Sequence, residues 1–439
     1  MVLMKKSFLK TVLVIAVPIT LQSMLQSSFS MIDQIMIGQL NEVAIASIGI
    51  VGKFTGIYNV LIAAFSTIAG IMISQYLGNK NQNEIHRSFF INLYLSLILA
   101  FFFMFISMAF SEKIIYLYNK DPELINCASL YLRIISFGYL PLAFISISSC
   151  LFRCVQKASL PLYVSIGSAI INTVLNYVLI FIFDLGVSGA GIATLISQVF
   201  NFIVMFILFI KNRDLVQKES ESIEKFKLSF FVKMLLPLLI CEFIWSLGEN
   251  VYAAIYGNMS LSDSCAMTLI NPIQGLMIGA LCGIASASGI IIGKKLGEGD
   301  YDEAYHDAKK LMTYGFIGSI ILSVIIILTR GIYVNIYNVE MSIQNMTKAI
   351  LLSYAIIAPF KVANMILGGG ILRSGGKTSY TMFIDMIGTW AFGVPLGLIT
   401  AFVLHLSIDK VYLLLSLEEV IRFIISLFIF KSRKWMSSF

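Results

Sequence analysis

Residues 11–38 read TVLVIAVPITLQSMLQSSFSMIDQIMIG, an apolar stretch that contains a few polar residues and one carboxylate, Asp33. A membrane-spanning helix needs roughly 20 mostly apolar residues, and this stretch is long enough. A carboxylate at lipid depth is unfavourable unless it faces protein or water, so such a group marks a candidate functional site. The stretch therefore predicts a first transmembrane helix that carries a functional carboxylate.

The same stretch is repeated later in the chain at a constant offset of 219 residues, counted from Pro18 to Pro237. The other matching pairs are Gly38 with Gly257, Gly56 with Gly275, Gly70 with Gly289, and Leu77-Gly78 with Leu296-Gly297. Two related halves with polar groups inside are the usual arrangement of a membrane carrier. The repeat therefore predicts two halves with a substrate path between them.

The composition is that of a membrane protein, because 58% of the residues are hydrophobic and only 13% are charged. Soluble domains carry about 25% charged residues. The mean hydropathy is +0.88. Twelve apolar runs reach spanning length: 11–38, 46–76, 89–111, 124–152, 160–183, 187–210, 230–257, 264–293, 312–329, 346–372, 379–402 and 411–430. We therefore predict an all-α membrane protein with twelve transmembrane helices.

One polar segment of mixed charge, KNRDLVQKESESIEKFKLS at 211–229, separates the sixth run from the seventh. It divides the chain into an N-terminal six-helix bundle (1–210), a cytoplasmic linker (211–229) and a C-terminal six-helix bundle (230–439). Six helices per half give both halves the same orientation. We therefore expect the bundles to be related by a pseudo-two-fold axis along the membrane normal.

The basic residues that give the chain its net charge of +7 lie mostly in loops on one side of the predicted membrane topology. If the N-terminus is cytoplasmic, the segments on that side hold 21 Lys and Arg residues, whereas the opposite loops hold five. The cytoplasmic segments are 1–10, 78–88, 153–159, 211–229, 293–310, 373–378 and 431–439. Cytoplasmic loops are enriched in Lys and Arg, so both termini are predicted to be cytoplasmic in a cell membrane, inner or plasma. The lipid bilayer is the expected partner, and nucleic acid is not.

The sequence contains no pattern of a metalloprotein or an enzyme. The six cysteines lie in or beside apolar runs, and the three histidines are far apart in the chain. Gly376-Lys377-Thr378 lacks the first glycine and the preceding strand of a phosphate-binding loop. Paired Asp-rich motifs of the kind expected in an intramembrane prenyl-group enzyme are also missing. We therefore predict a protein that is not an enzyme and has no cofactor.

Polar residues line one face of three runs in the first half. The first run carries Gln22, Gln26 and Ser30 together with Asp33, at spacings of four, four and three residues. The fifth run carries Ser165, Asn172 and Asn176, and the sixth carries Thr194, Gln198 and Asn201. Amides and hydroxyls also hold membrane helices together. The cluster that includes a carboxylate nevertheless favours a functional site.

The second half has more charged residues in its runs. Glu242, Trp245 and Glu249 share a face of the seventh run, and Lys361 and Asp385 lie in the tenth and eleventh. The twelfth run carries Glu418, Glu419 and Arg422, of which Glu418 and Arg422 are spaced for an ion pair. Glu242 and Asp385 have no basic partner on their own helix, so they are the better functional candidates.

Several motifs together resemble those of the multidrug and toxin extrusion (MATE) transporters along nearly the whole chain. They are Pro18, Asp33 and Gly38 in the first run, the pair GIMISQYLG and GIIIGKKLG after the second and eighth, INTVLNYVLIF (171–181), LGVSGAGIAT (185–194) and ILRSGGKTS (371–379). Each motif is weak alone, but their order and the repeat make the resemblance specific. It implies two six-helix bundles and cation-coupled export of organic compounds, many of them cationic.

The resemblance also implies a coupling site. Asp33 matches the aspartate of the family's first helix, and Asn172 and Thr194 match residues that surround it. Many members have a second aspartate at the position of Asn176, so one titratable group is missing here. An aspartate that some members carry in the tenth helix is Val362 here, so a second cation site would require Asp385 or Glu249 in its place. The implied ligands of H⁺ or Na⁺ are Asp33, Asn172, Asn176 and Thr194.

The function expected from these residues is that of an H⁺- or Na⁺-coupled antiporter for organic, cationic or amphiphilic compounds, acting as a monomer by alternating access. Candidate substrate-binding residues are Gln22, Gln26, Gln198, Glu242, Trp245, Glu249, Lys361 and Asp385. The alternative is a flippase of a related fold for a lipid-linked or amphiphilic metabolite. A strongly basic cavity would favour the flippase, whereas the acidic residues of the second half favour the antiporter.

Overall fold

The structure is a computed structural model. It describes residues 8–37, 39–40, 42–217, 228–337 and 339–438. Within these ranges, nine side chains lie outside the description: Ser30, Met31, Asp33, Gln34, Ile35, Glu42, Leu228, Phe230 and Leu261. Every regular element of the described ranges is helical, and no β-strand occurs in them.

The first half of the chain forms a series of helices joined by short turns. They are α1 (Phe8–Ile37), α2 (Glu42–Gly78), α3 (Gln82–Tyr116), α4 (Pro122–Ser136), α5 (Tyr139–Cys154), α6 (Ser159–Asn176) and α7 (Gly186–Lys211). A π-helical segment, Tyr177–Ile182, continues α6. A short 3-10 helix, Arg213–Val216, follows α7.

The second half repeats this pattern with more interruptions near its end. Its helices are α8 (Leu228–Gly257), α9 (Leu261–Gly297), α10 (Tyr301–Val334), α11 (Met341–Ile366), α12 (Ser379–Asp385), α13 (Val394–Leu398), α14 (Ile408–Leu415) and α15 (Leu417–Ser432). Three π-helical segments lie between or after them: Leu367–Leu372, Met386–Gly393 and Ile399–Val403.

Each of the twelve predicted apolar runs falls on one of these helices or on consecutive helical segments. Ten helices of the described ranges are long and apolar enough to cross a membrane, and the pair α4–α5, bent by 45°, makes an eleventh. The twelfth run falls on two shorter helices, α14 with 8 residues and α15 with 16 residues. The predicted all-α membrane fold is confirmed.

The same kind of cap begins the third helix of each half. Asn81 accepts a hydrogen bond from the backbone N–H of Glu84 at 3.1 Å before α3. Asp300 accepts one from the backbone N–H of Glu303 at 3.0 Å before α10. Such a side chain satisfies an N–H group that has no partner inside the helix. Asn81 and Asp300 are related by the 219-residue offset, so the repeat extends to helix capping.

By packing, the chain forms two compact units. The N-terminal unit comprises the described part of residues 21–224. The C-terminal unit comprises the described part of residues 225–439 together with the beginning of α1, up to Thr20. In the C-terminal unit, the Thr20 hydroxyl donates to the Ala280 carbonyl of α9 at 3.3 Å. The predicted bundle bounds 1–210 and 230–439 stay a prediction.

The chain turns back after α7 and docks on the N-terminal unit through residues 212–217. Gln82 donates to two carbonyl groups of this segment at 3.1 and 2.9 Å. The Nδ1 atom of His86 lies 2.6 Å from a third carbonyl oxygen. Lys157 donates to the Asn212 side-chain oxygen at 2.5 Å. We call residues 212–217 the first docked segment.

Residues 433–438, the second docked segment, follow α15 in the same way. Trp435 of this segment is completely buried. Lys377 donates to a carbonyl group of the segment at 2.6 Å, and the Tyr301 hydroxyl lies 2.8 Å from the Ser438 hydroxyl. The Arg433 guanidinium lies 4.3 Å from the centre of the Tyr305 ring. The segment therefore ties α15 to the beginning of α10.

Candidate functional site

Arg153, at the end of α5, connects α1 and α6 in the N-terminal unit. Its Nη2 atom donates to the Gln22 side-chain oxygen at 2.9 Å. The Gln22 amide in turn donates to the Ser165 hydroxyl at 2.8 Å. Because lipid offers no hydrogen-bond partners, polar groups at this depth must be satisfied within the protein. These contacts fix the relative positions of three helices.

Three of the four predicted cation ligands meet where α6 packs on α7. The Asn176 amide donates to the Asn172 side-chain oxygen at 3.3 Å. The Asn172 amide donates to the Thr194 hydroxyl at 3.5 Å. Both asparagines are buried. Amide and hydroxyl oxygens are hard donors that suit a hard cation, so this cluster has the chemistry to contribute neutral ligands.

The other predicted residues of the first half lie elsewhere. Asp33 belongs to α1, but its side chain lies outside the described residues, so its contacts stay a prediction. Gln26 is exposed on α1. Gln198 of α7 packs against Gly138, between α4 and α5, where a Cβ atom would overlap the Gln198 amide. The structure therefore places Gln198 at the α4–α5 junction.

A π-helical segment begins directly after a predicted polar residue in each half. Tyr177–Ile182 begins after Asn176, and Met386–Gly393 begins after Asp385. A π-helix widens the helical turn, and such segments often occur at functional sites. In Met386–Gly393, Gly388 and Gly393 permit the close approach of Arg422 and Glu418, because a Cβ atom at either glycine would overlap them.

The C-terminal unit contains an arginine cluster equivalent to that of Arg153. The Arg373 guanidinium donates to Glu242 at 3.0 Å and to the Cys241 sulfur at 3.3 Å. The Cys241 thiol donates to Asp385 at 2.8 Å. The repeat relates the members in three pairs: Gln22 to Cys241, Arg153 to Arg373, and Ser165 to Asp385. In one of these pairs the second copy has a carboxylate, Asp385, where the first has the Ser165 hydroxyl, and Arg373 also pairs with the carboxylate of Glu242.

Arg422 is the centre of a second set of ion pairs in this unit. It lies 3.7 Å from Asp385, 3.7 Å from Glu418 and 3.9 Å from Glu419. Glu242 and Asp385, which have no basic partner on their own helices, are therefore paired with bases on other helices, Arg373 and Arg422. Spacing along one helix does not report such partners.

Two cavities adjoin these charges. The tyrosine cavity, of about 250 Å³, is lined by Glu249, Tyr252, Tyr256, Asn271, Gln274, Tyr354, Lys361, Tyr412, Glu418 and Glu419, among others. The arginine cavity, of about 320 Å³, is lined by Glu242, Trp245, Lys361, Asn364, Arg373, Asp385, Glu419 and Arg422, among others. Lys361 and Glu419 line both cavities. All five predicted residues of the second half line one cavity or both: Glu242, Trp245, Glu249, Lys361 and Asp385.

The tyrosines that line the tyrosine cavity were not among the residues predicted from the sequence. Tyr252 lies three residues after Glu249, and Tyr256 lies four residues after Tyr252. Both therefore continue the helix face that Glu242 begins. That spacing was the available signal. Tyr252 donates to Glu418, and the Tyr412 hydroxyl accepts from Gln274 at 3.0 Å. Tyr354 and Tyr412 lie on other helices and give no such signal.

The cavities carry more negative than positive groups. Their carboxylates are Glu242, Glu249, Asp385, Glu418 and Glu419, and their basic groups are Lys361, Arg373 and Arg422. With all of them ionised, five negative charges face three positive ones. In the part of the chain that the structure describes, no group of three or more His, Cys, Asp and Glu side chains is placed to hold a metal ion. Because negative charges exceed positive ones in the two cavities, the cavities suit a cationic group of a ligand.

The chain matches the MatE family model twice, over residues 18–178 and 237–399. Among curated proteins, it is 22% identical to the uncharacterized transporter YisQ of Bacillus subtilis, with 95% of this chain and 93% of the relative covered. It is 25% identical to the probable multidrug resistance protein NorM of Halalkalibacterium halodurans, with 89% and 87% covered. Human multidrug and toxin extrusion protein 1 is 23% identical, with 91% and 70% covered.

Solved structures share this fold. A MATE structure in the bent conformation and one in the straight conformation both give a TM-score of 0.89, at 16% identity, with 97% of this chain and 95% of each covered. An outward-facing multidrug resistance MATE transporter gives 0.88 at 16% identity, with 97% and 96% covered. The two family matches begin at Pro18 and Pro237, the first pair of the repeat. The chain belongs to the MATE family of multi-pass membrane transporters.

Proposed function

We propose that this chain is an H⁺- or Na⁺-coupled antiporter that exports organic cationic or amphiphilic compounds from the cell, as a monomer with both termini in the cytoplasm. The observation that carries the proposal is the excess of carboxylates over basic groups in the two cavities of the C-terminal unit. Cavities of this polarity attract cationic groups, and their aromatic walls add favourable contacts with organic cations.

The coupling ion binds in the N-terminal unit under this proposal. Asn172, Asn176 and Thr194 lie together and supply neutral oxygens. Asp33, on α1, supplies the single negative charge. One carboxylate balances one monovalent cation, either a proton or Na⁺. The proposal includes H⁺ or Na⁺ as the coupling ion and no separate cofactor.

Export follows if the cation and the substrate favour different conformations. A ligand shifts a conformational equilibrium only by the difference between its affinities for the two states. Cation binding beside Asp33 would then lower the affinity for the exported compound, and release of the compound would favour cation entry. This coupling is reciprocal because it is a property of the equilibrium.

The flippase alternative requires a cavity that attracts lipid-linked anions. The arginine cavity contains three bases: Arg373 and Arg422 are held against carboxylates, and Lys361 is a single charge in cavities that contain five carboxylates. The paired bases leave little net positive potential for an anionic headgroup. The charge pattern therefore supports the antiporter.

The proposal is tested by dye efflux from proteoliposomes with an imposed pH or Na⁺ gradient, with a panel of cationic dyes. Wild-type protein should export at least one dye under one of the two gradients. Asp33→Asn should abolish gradient-driven efflux, because it keeps the side-chain size and removes the charge. Asp184→Asn, at an exposed aspartate outside the cluster, is the matched control and should leave efflux unchanged.

Two results would count against the proposal. If Asp33→Asn drives efflux at the normal rate, Asp33 has only a structural role. If neither gradient drives efflux of any dye by folded wild-type protein, the antiporter assignment is wrong.

A further inference from the structure

Among the described residues that line the two cavities, Lys361 is the basic group without a close acidic partner. Arg373 and Arg422 both lie within 4 Å of a carboxylate. For Lys361, no hydrogen bond and no ion pair within that distance exists among the described residues, although Glu249 and Glu419 line the same cavity and attract its charge. Its position on α11 nevertheless places it at the boundary of both cavities. Three N–H donors of an ammonium group are therefore available to a ligand.

Glu249 is the matching acidic group. The other four carboxylates of the cavities each have a base within 4 Å. That base is Arg373 for Glu242 and Arg422 for the remaining three. Glu249 makes no ion pair of that kind in the described part of the chain, and its side chain is exposed. It lines the tyrosine cavity together with Lys361. The tyrosine cavity thus contains one carboxylate and one ammonium group that form no ion pair within 4 Å in the described part of the chain.

The surroundings of the two charges differ. Tyr252 and Tyr256 follow Glu249 on α8 and line the same cavity, so the carboxylate is accompanied by aromatic rings. A delocalised or quaternary cation gains from such rings as well as from the carboxylate. Lys361 also lines the arginine cavity, together with Trp245 and with Asn364, whose amide donates a hydrogen bond to Glu419. An uncompensated charge at this depth is unfavourable until a ligand pairs with it.

We propose that the C-terminal unit binds amphoteric organic molecules, with the cationic group beside Glu249 in the tyrosine cavity and a carboxylate or other anionic group on Lys361. This inference rests on the proposed export function and specifies its substrate class. A simple organic cation would satisfy Glu249 but leave Lys361 unpaired. A molecule with both charges pairs with both groups and leaves the five-to-three balance of the cavities unchanged.

Two dyes with the same fluorophore provide the test. Tetramethylrhodamine methyl ester is a cation, whereas tetramethylrhodamine carries the same cation and a free carboxylate. Binding to purified wild-type protein in detergent is measured at pH 7.5 by fluorescence polarisation. Wild type should bind the free acid at least as tightly as the ester.

The variants separate the two charges. Lys361→Met should weaken binding of the free acid about tenfold, the effect of losing one charge-assisted hydrogen bond. It should leave ester binding unchanged or tighter, because a repelling positive charge is removed. Lys361→Arg should keep acid binding, and Glu249→Gln should weaken binding of both dyes. Lys410→Met, at an exposed lysine of α14, is the control and should change neither.

The inference is overturned if wild type binds the ester but not the acid, if it binds neither dye, or if Lys361→Met weakens both dyes equally or neither. These results concern binding and leave gradient-driven efflux of other cationic dyes as a separate measurement. The inference can therefore fail while the antiporter assignment holds. If wild-type protein binds both dyes but shows no gradient-driven efflux of any dye, the antiporter assignment is contradicted instead.

Discussion

Arg153 and Arg373 occupy equivalent positions in the two halves, and only their partners differ. Arg153 bonds to the neutral amide of Gln22, whereas Arg373 pairs with the carboxylate of Glu242. Each arginine joins helices that would otherwise place unsatisfied polar groups at lipid depth. The same backbone arrangement thus supports a guanidinium–amide contact in one half and a guanidinium–carboxylate ion pair in the other.

Burial predicts unequal effects of the same substitution. Arg373→Gln should lower the free energy of unfolding by on the order of 2 kcal/mol more than Arg433→Gln, because Glu242, the partner of Arg373, is partly buried, whereas Asp302, the partner of Arg433, is exposed. Thermal unfolding of both variants in detergent provides the comparison. Equal shifts of Tm would show that the Glu242 ion pair does not stabilise the fold.

A second residue-scale prediction concerns Asn176, which is buried and bonded to Asn172. An asparagine offers an oxygen to a cation but cannot hold a proton reversibly. Asn176→Asp should make transport more dependent on pH and move its optimum to more alkaline pH, since two carboxylates at one site of low dielectric do not both ionise easily. An unchanged pH profile of a folded, active variant would place residue 176 outside the coupling site.

The sequence predicted part of these clusters. Asn172 and Asn176 share a helix face, so their proximity followed from the spacing, and the structure adds the contact with Thr194. The pairs Arg373–Glu242 and Arg422–Asp385 join residues more than 30 positions apart on different helices. Helical periodicity describes one helix at a time, so it contains no information about such pairs.

At the scale of elements, hydropathy predicted where helices lie but not where they bend. The run 124–152 was predicted as one span although it contains Gly138 and Pro141, and the chain bends by 45° there, between α4 and α5. The π-helical segments, such as Tyr177–Ile182, follow no break in the sequence pattern. Both features depend on packing against neighbouring helices and on local backbone geometry, which composition does not encode.

The second docked segment gives a prediction at this scale. Trp435 is completely buried, and its indole N–H donates to the Phe430 carbonyl at 3.1 Å. Trp435→Ala should destabilise the C-terminal unit by about 3 kcal/mol, because it removes a large buried side chain and leaves a cavity. Phe428→Ala, at a side chain that is 69% exposed, is the control. Equal Tm values for the two variants in detergent would contradict a stabilising role of the segment.

For the whole molecule, the internal repeat was the strongest feature of the sequence. Glycine and proline tolerate few replacements where helices bend or approach closely, so their positions preserved the register between the halves. The structure adds one feature that chain order does not show. The beginning of α1 packs in the C-terminal unit, where Thr20 bonds to Ala280.

The orientation of the whole chain is also testable. The excess of Lys and Arg on one side predicts that residues 211–229 are cytoplasmic. In a variant without the native cysteines, Ser220→Cys should react with a membrane-impermeant maleimide only after the cells are permeabilised. A cysteine in place of Lys120, in an opposite loop, should react in intact cells. Labelling of residue 220 in intact cells would reverse the topology.

The two docked segments bear on how the gene was duplicated. They follow α7 and α15, and they contact equivalent residues, Gln82 and Tyr301 among them. The sequence match reaches them at an offset of 220: Arg213 matches Arg433 inside the segments, Lys211 matches Lys431 just before them, and Lys157 and Lys377, which contact the segments, also match. The copied piece therefore included the turn that follows its last helix. The first part of the connection between the halves is inherited from the ancestral unit, and it is not a later insertion.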